Sequence, residues 1–288
     1  MSPALGGARR EGREAHAARD GGRRGGLAHA LLLVALVAIL LVSLYPLFWM
    51  FALALRVPGE AGWRLGFEHF ESVWKSGPFD RYFLNSIWVA AWVVGANALL
   101  ASMVGYALAR RRFPGKRALL LGVLATLMVP RQVTMIPVYL LFAKMRWIDT
   151  YAALIVPFAV DAFNVFLMSQ YIQTIPEELE DAARVDGAGD FGVFFRVVLP
   201  LARPALAVVA INTFLTNWNS FLYPLILTNS EKMRTLPVGL ALYAQGEHSV
   251  DWGPLMAGSS LATIPILIVF LIFQRNIIAG ITQGALKG

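Results

Sequence analysis

The 288-residue chain contains no cysteine. That absence excludes disulfides, a thiolate zinc site, an iron–sulfur cluster and a cysteine nucleophile. Histidine is scarce as well: His16, His29, His69 and His248 are scattered and form no HExxH, so no metal site is expected. Charge is the third shortage. Only 15% of residues are charged and 57% are hydrophobic, where a soluble domain carries about 25% charged residues. Mean hydropathy is +0.60. So few charges cannot cover a water-soluble body of this size, and a membrane protein is expected.

The net charge of +7 would fit nucleic acid if the basic residues were gathered on one face. They fall instead into short clusters between long apolar runs, as in loops flanking membrane spans. No nucleic-acid partner is expected. The partner that the composition calls for is a lipid bilayer.

Residues 1–26 hold seven glycines and six arginines and little apolar periodicity, and are expected to be a disordered tail. The uncharged run 27–55 is too long for a signal peptide, whose core is about 7–15 residues. A hydrocarbon core of ~30 Å needs about 20 helical residues, so this run is expected to be a retained first span. Further spans are expected at 82–109, 118–143 (broken near Pro130 and Pro137), 151–171 (containing Asp161), 204–227 and 252–274. The expected architecture is an all-α polytopic membrane protein with six transmembrane helices. Placing both termini in the cytoplasm leaves sixteen Lys and Arg inside and eight outside, with Arg131 inside a span. That bias predicts an N-in, C-in topology. The expected organisation is therefore a tail at 1–26, a first helix with an outer loop at 27–81, a transmembrane core at 82–274 and a cytoplasmic C-terminal tail at 275–288.

The loop at 173–203 is the most informative. Thr174-Ile175-Pro176-Glu177 has capping-box spacing, with proline in the first turn. Glu177, Glu178 and Glu180 suit the positive end of a helix dipole. That helix is expected to stop at Gly187, which accepts positive φ. Asp190 is expected to cap a second short helix ending before Pro200. The result is a helix–turn–helix with small residues at its bend, either an ordinary interspan loop or a surface that another protein approaches closely.

The pattern Asp181-Ala182-Ala183, three residues, Gly187, nine residues, Val197, one residue, Leu199-Pro200 resembles the EAA loop of ABC importer permeases. Asp181 stands where that family usually has Glu, and Val197 where it usually has Ile. Phe83-Leu84-Asn85-Ser86, Arg112-Phe113-Pro114-Gly115-Lys116, Trp218-Asn219-Ser220-Phe221 with Pro224, and the ending 280–288 resemble further signatures of the family. The ending is similar to the C-termini of one branch, the smaller six-span permease of maltose-class carbohydrate importers. The resemblance implies a type I importer permease fold in a bacterial or archaeal cytoplasmic membrane. It also implies a second homologous permease, two cytoplasmic ATPase subunits, an extracytoplasmic solute-binding protein and a sugar-like substrate. It makes the loop an ATPase-coupling element carrying Glu178, Asp181, Ala182, Ala183, Asp186, Gly187, Leu199 and Pro200. The chain has no GxxxxGK[ST], so ATP and Mg would be held by the ATPase partner, and no cofactor or catalytic residue is assigned here.

Within the spans, Asn212, Thr216, Asn219 and Tyr223 are spaced to share one helix face, with Thr213, Asn217 and Ser220 beside them. They are either the wall of a polar solute pathway or hydrogen-bonding glue between helices. Arg131 and Asp161 would be costly unpaired in lipid, so each is a candidate for the pathway, for water exposure or for an inter-helix pair. The aromatic outer loop (Trp63, Phe67, Phe70, Trp74, Phe79) either anchors at the interface or receives a binding protein. An ion-driven secondary transporter is the alternative from another class; glycerol phosphate or another polar solute is the alternative substrate.

Overall fold

A computed structural model describes residues 7–57, 64–75, 77–244 and 251–285, with side chains described from His29 to Gln274 except that of Tyr243. Trp63 and residues 286–288 lie outside the described residues. The chain divides into two units, residues 1–53 and 54–288.

The first unit is formed by helix α1, Gly7–Leu55, which runs on into the start of the second. The helix includes the backbone of residues 7–26. Within His29–Leu55 the side chains are almost all apolar, and those from His29 to Trp49 are exposed. That pattern has a stable solvent only in a lipid bilayer.

Among the described residues of the second unit the regular elements are all helices, apart from an isolated antiparallel bridge between Arg56 and Leu65. Its elements are α2 (Glu68–Lys75), α3 (Phe79–Arg110), α4 (Lys116–Leu127), α5 (Arg131–Lys144), α6 (Tyr151–Ile155, continued by a 3-10 turn to Phe158) and α7 (Ala162–Gln173). The chain continues through α8 (Glu178–Val185), α9 (Asp190–Val193), a π-turn (Phe194–Val198) and α10 (Leu199–Leu201). It ends with α11 (Arg203–Trp218), α12 (Leu222–Leu227), α13 (Leu236–Tyr243) and α14 (Trp252–Ala285).

Among the described residues, three helices are long and apolar enough to cross a membrane: His29–Leu55, Phe79–Arg110 and Trp252–Gln274. Three bent pairs pass the same test, bringing the number up to six: Lys116–Leu127 with Arg131–Lys144 (104°), Tyr151–Phe158 with Ala162–Gln173 (42°) and Asp190–Leu201 with Arg203–Trp218 (78°). The bends have local causes. Pro130 lacks an N–H and pushes Val129 out of the helical region, so α4 stops and α5 restarts with Pro130 extended (φ −60°, ψ 132°). Asp161 sits at the second bend as a cap rather than as a mid-helix charge.

The expected uninterrupted fifth span at 204–227 is also broken. α11 ends at Trp218, Asn219 is its C-cap, and Pro224 falls in the first turn of α12, where a missing N–H is harmless.

α3 is the central mast, packed along α7 and α11. Gly105 lets α3 and α7 touch: a Cβ there would lie 2.7 Å from Met168 Cβ and 2.9 Å from the Ser169 nitrogen. Asn85 and Ser86, near the start of α3, are buried and hold the chain before α13. Asn85 Nδ2 donates to the carbonyls of Lys232 and Arg234 (both 2.9 Å), and Ser86 Oγ accepts from the Leu236 nitrogen (2.8 Å). Trp218 Nε1 donates to the Ala262 carbonyl (3.1 Å), tying α11 to α14.

Candidate functional site

The first candidate is the hairpin of α8 and α9. The expected capping box does not form. Thr174 caps the end of α7 instead, and its hydroxyl donates to the Tyr171 carbonyl (2.7 Å), so Glu177 opens α8 without a side-chain cap. The stop at Gly187 is as the residue type demands. Gly187 has φ +88°, its N–H donates to the Arg184 carbonyl (3.0 Å), and the Ala188 N–H reaches back to the Ala183 carbonyl (2.9 Å). Those two bonds make a Schellman motif. Asp190 is the first helical residue of α9 rather than its cap, and its carboxylate pairs with Arg111 at the end of α3. The second helix does not stop before Pro200. It widens into the π-turn Phe194–Val198 and runs on to Leu201, the wider turn easing proline's conflict with the preceding carbonyls.

Charge and packing fix the hairpin to α3. Glu180 is 1% exposed. Its carboxylate accepts from Tyr106 Oη (3.0 Å), Arg110 Nε (2.7 Å) and Arg184 Nη2 (3.2 Å). Arg110 also donates to the Ile175 carbonyl and to Glu177 (3.3 Å). Beneath this cluster Tyr106, Met168, Ile172, Val193, Phe194 and Val198 form one apolar core joining α3, α7 and the hairpin, with Ala183 and Leu199 against it. Glu178, Asp181, Ala182, Asp186 and Pro200 face outward. Asp181 pairs with Arg184 (2.7 Å). Val185 (87% exposed) and Phe191 (71%) give the outward surface an apolar character. The anchoring role of Glu180 was not visible in the sequence, because its main partners lie some 70 residues earlier.

The second candidate is a cavity of about 730 Å³, within the range of about 300–1,000 Å³ common for small-molecule sites. It gathers five of the six expected pathway residues: Arg131, Asp161, Asn212, Thr216 and Tyr223. Asn219 is exposed and absent from the lining, because the break after Trp218 turns it off the α11 face; its amide donates to the Leu215 carbonyl (2.9 Å). Asn217 and Ser220, from the adjoining stripe, do line the cavity.

Part of the wall is glue. Buried Asn164 donates to Asn97 Oδ1 (3.0 Å) and Thr213 Oγ1 (2.8 Å) and accepts from Asn212 Nδ2 (3.2 Å). Asn97 Oδ1 also accepts from the Asp161 N–H (2.9 Å), while its Nδ2 donates to the Phe158 carbonyl (2.6 Å). Asn97 thus satisfies backbone groups freed by the bend between α6 and α7, and Asn164 ties it to α11; neither was singled out from the sequence. Arg131 and Asp161 form an ion pair.

Helical layers broken at proline and cap residues, a polar cavity between them and a surface hairpin tied to a spanning helix define a membrane transport component. Residues 97–283 match the family described as "binding-protein-dependent transport system inner membrane component", and the chain belongs to that family. It is 42% identical over 214 residues to the arabinooligosaccharides transport system permease protein AraQ of Halalkalibacterium halodurans, covering 74% of this chain and 76% of that protein. It is 32% identical over 286 residues to the diacetylchitobiose uptake system permease protein NgcG of Streptomyces coelicolor, covering 95% and 93%. Among solved structures it is similar to a chain of a bacterial ABC transporter involved in the import of the acidic polysaccharide alginate. The TM-score is 0.76 with 25% identity, over 88% of this chain and 97% of that one.

Proposed function

We propose that this chain is one of two permease subunits of an ATP-driven importer that receives a carbohydrate from a solute-binding protein. The observation that carries the reading is the anchored hairpin. A Schellman-closed turn with Val185 and Phe191 exposed is held to α3 by the buried Glu180–Arg110 contact. In this reading the hairpin seats in a cleft on one of two cytoplasmic ATPase subunits, with Glu178, Asp181, Ala182, Asp186 and Gly187 at the contact, and ATP and Mg are held by those partners. Both termini and the hairpin are cytoplasmic, and six helices span the membrane.

Closure of the ATPases displaces the hairpins. The hairpin, α3 and α7 share one core, so the displacement reaches Asn97 and Asn164 in the cavity wall. Packed interiors transmit such shifts because they deform little. The carbohydrate class is supported by the named substrates of the relatives and by a wall rich in amide and hydroxyl groups.

The test is ATP hydrolysis in lipid by the complete complex, with and without its binding protein, across a panel of sugars. Stimulation by the loaded binding protein is expected. Gly187→Val is expected to assemble, since a Cβ there meets nothing within 4 Å, while the left-handed backbone costs about 1–2 kcal/mol or more. Transport should fall at least tenfold. A chain that purifies alone and moves solute on an ion gradient without ATP would overturn the reading.

A further inference from the structure

Three chain breaks meet at one ion pair. Arg131 is the first residue of α5, directly after the Pro130 break, and its guanidinium donates to Asp161 Oδ2. Asp161 ends the second break, and its other oxygen caps α7 by accepting from the nitrogens of Phe163 (2.9 Å) and Asn164 (3.4 Å). Beyond the α11 break, Tyr223 Oη donates to the Arg131 carbonyl (2.8 Å). Arg131 and Asp161 are the charged side chains among those lining the cavity; the rest of its polar wall is amide and hydroxyl. The Arg131 side chain is 51% exposed and that of Asp161 19%, so the pair forms part of the cavity wall with Arg131 the more open of the two.

A guanidinium is the side chain best matched to carboxylate and phosphate, through two parallel N–H donors. Left alone at this wall, Arg131 would hold anionic sugars. Asp161 occupies it and adds a negative charge that repels a second anion.

We propose that Asp161, by neutralising Arg131, sets the charge selectivity of this pathway, so that it takes neutral oligosaccharides and disfavours sugars bearing carboxylate or phosphate. The proposal rests on the permease reading and adds to it a substrate class and a specificity-determining pair.

The experiment measures binding to the complete permease–ATPase complex in nanodiscs at low salt, without the binding protein, so that its specificity does not enter. The probes are neutral maltotriose, arabinotriose and diacetylchitobiose, and anionic trigalacturonate. For the native complex, trigalacturonate is expected to bind at least tenfold more weakly than the best neutral sugar. Asp161→Asn keeps an acceptor for the α7 cap and should tighten trigalacturonate about tenfold, the scale of one charge at a wet wall, with the gain lost at high salt. Arg131→Glu, which leaves Asp161 in place, should lower the affinity for trigalacturonate relative to the best neutral sugar by about a further tenfold.

An unchanged ratio in both variants, or native binding of trigalacturonate as tight as that of a neutral sugar, overturns the proposal. If no sugar binds while loaded binding protein still stimulates the ATPase, the cavity assignment falls and the permease reading stands. If that stimulation is absent too, the permease reading itself has failed.

Discussion

Glu180 carries more of the hairpin's position than any of its neighbours. A carboxylate 1% exposed is tolerated only because three donors surround it, two of them guanidinium groups. Arg110, itself 7% exposed, depends on the same contact. Breaking a buried pair from one side costs about 3–5 kcal/mol, because the remaining charge is left uncompensated. Glu180→Gln is therefore expected to loosen residues 178–188 without unfolding the bundle, whose apolar core is untouched. Hydrogen exchange in that segment should rise at least tenfold, and transport should fall at least tenfold while ATP hydrolysis persists. Asp181→Asn, which removes an exposed pair with Arg184, should change exchange in the segment by less than about threefold. Equal protection and equal transport in Glu180→Gln and the native chain would refute the anchoring role. Residue identity alone could not separate these two adjacent carboxylates. A helix turns about 100° per residue, and which of them faces inward is decided by Tyr106 and Arg110, far away in the chain.

At the scale of elements, what the sequence made legible follows punctuation. Pro130 marked its break and Gly187 its left-handed stop, since both act through their own backbone. Competing local bonds were not legible. Thr174 could cap α8 or close α7, and it closes α7; Asn219 continued a face on paper but ends a helix in space. The spacing rule failed at Asn219 because it presumes an unbroken helix, while Tyr223 reached the cavity by a separate element.

Another link between elements is Asp149, in the turn between α5 and α6. It has φ +65°, and its carboxylate accepts from the nitrogens of Asn229 (2.9 Å) and Ser230 (3.0 Å) beyond α12. Burial alone would raise this carboxyl, but the Ser230 and Asn229 donors and nearby Arg234 hold it below its ordinary value of 3.8. A lowered folded value means that the stabilisation is fully present above the ordinary value and is lost as pH falls through the folded one. Asp149→Asn retains an acceptor and tolerates positive φ, so it isolates the charge. The Tm of the purified complex should drop by roughly 2–4 °C at pH 6–8, and the gap to the native chain should close below about pH 4. A gap that persists unchanged to pH 3 would show that the carboxylate charge contributes nothing there.

For the whole molecule, the shortage of cysteine becomes an experimental asset. Because the native chain has none, a single introduced thiol reports its own side of the membrane without background labelling. The Lys and Arg bias predicts that the termini, the 110–117 loop and the hairpin share the cytoplasmic side, with the Asp149 and Asn229 turns opposite. Arg112, Val185 and Asn229 are exposed, and none is buried in a packing core, so cysteine at each should be tolerated. A membrane-impermeant maleimide is expected to label Asn229→Cys in intact spheroplasts, and Arg112→Cys and Val185→Cys only in inverted vesicles. The two reagent geometries control each other, since a leaky preparation labels all three in both. If Val185→Cys and Asn229→Cys label from the same side, the chain between them cannot cross the membrane an odd number of times. Either the α11–α12 segment would then fail to span or the hairpin would lie outside. In either case the hairpin could not meet a cytoplasmic ATPase while the Asn229 turn faces a binding protein. The labelling sides of those two residues therefore decide whether the coupling hairpin and the solute entrance are on opposite faces, which an importer of this design requires.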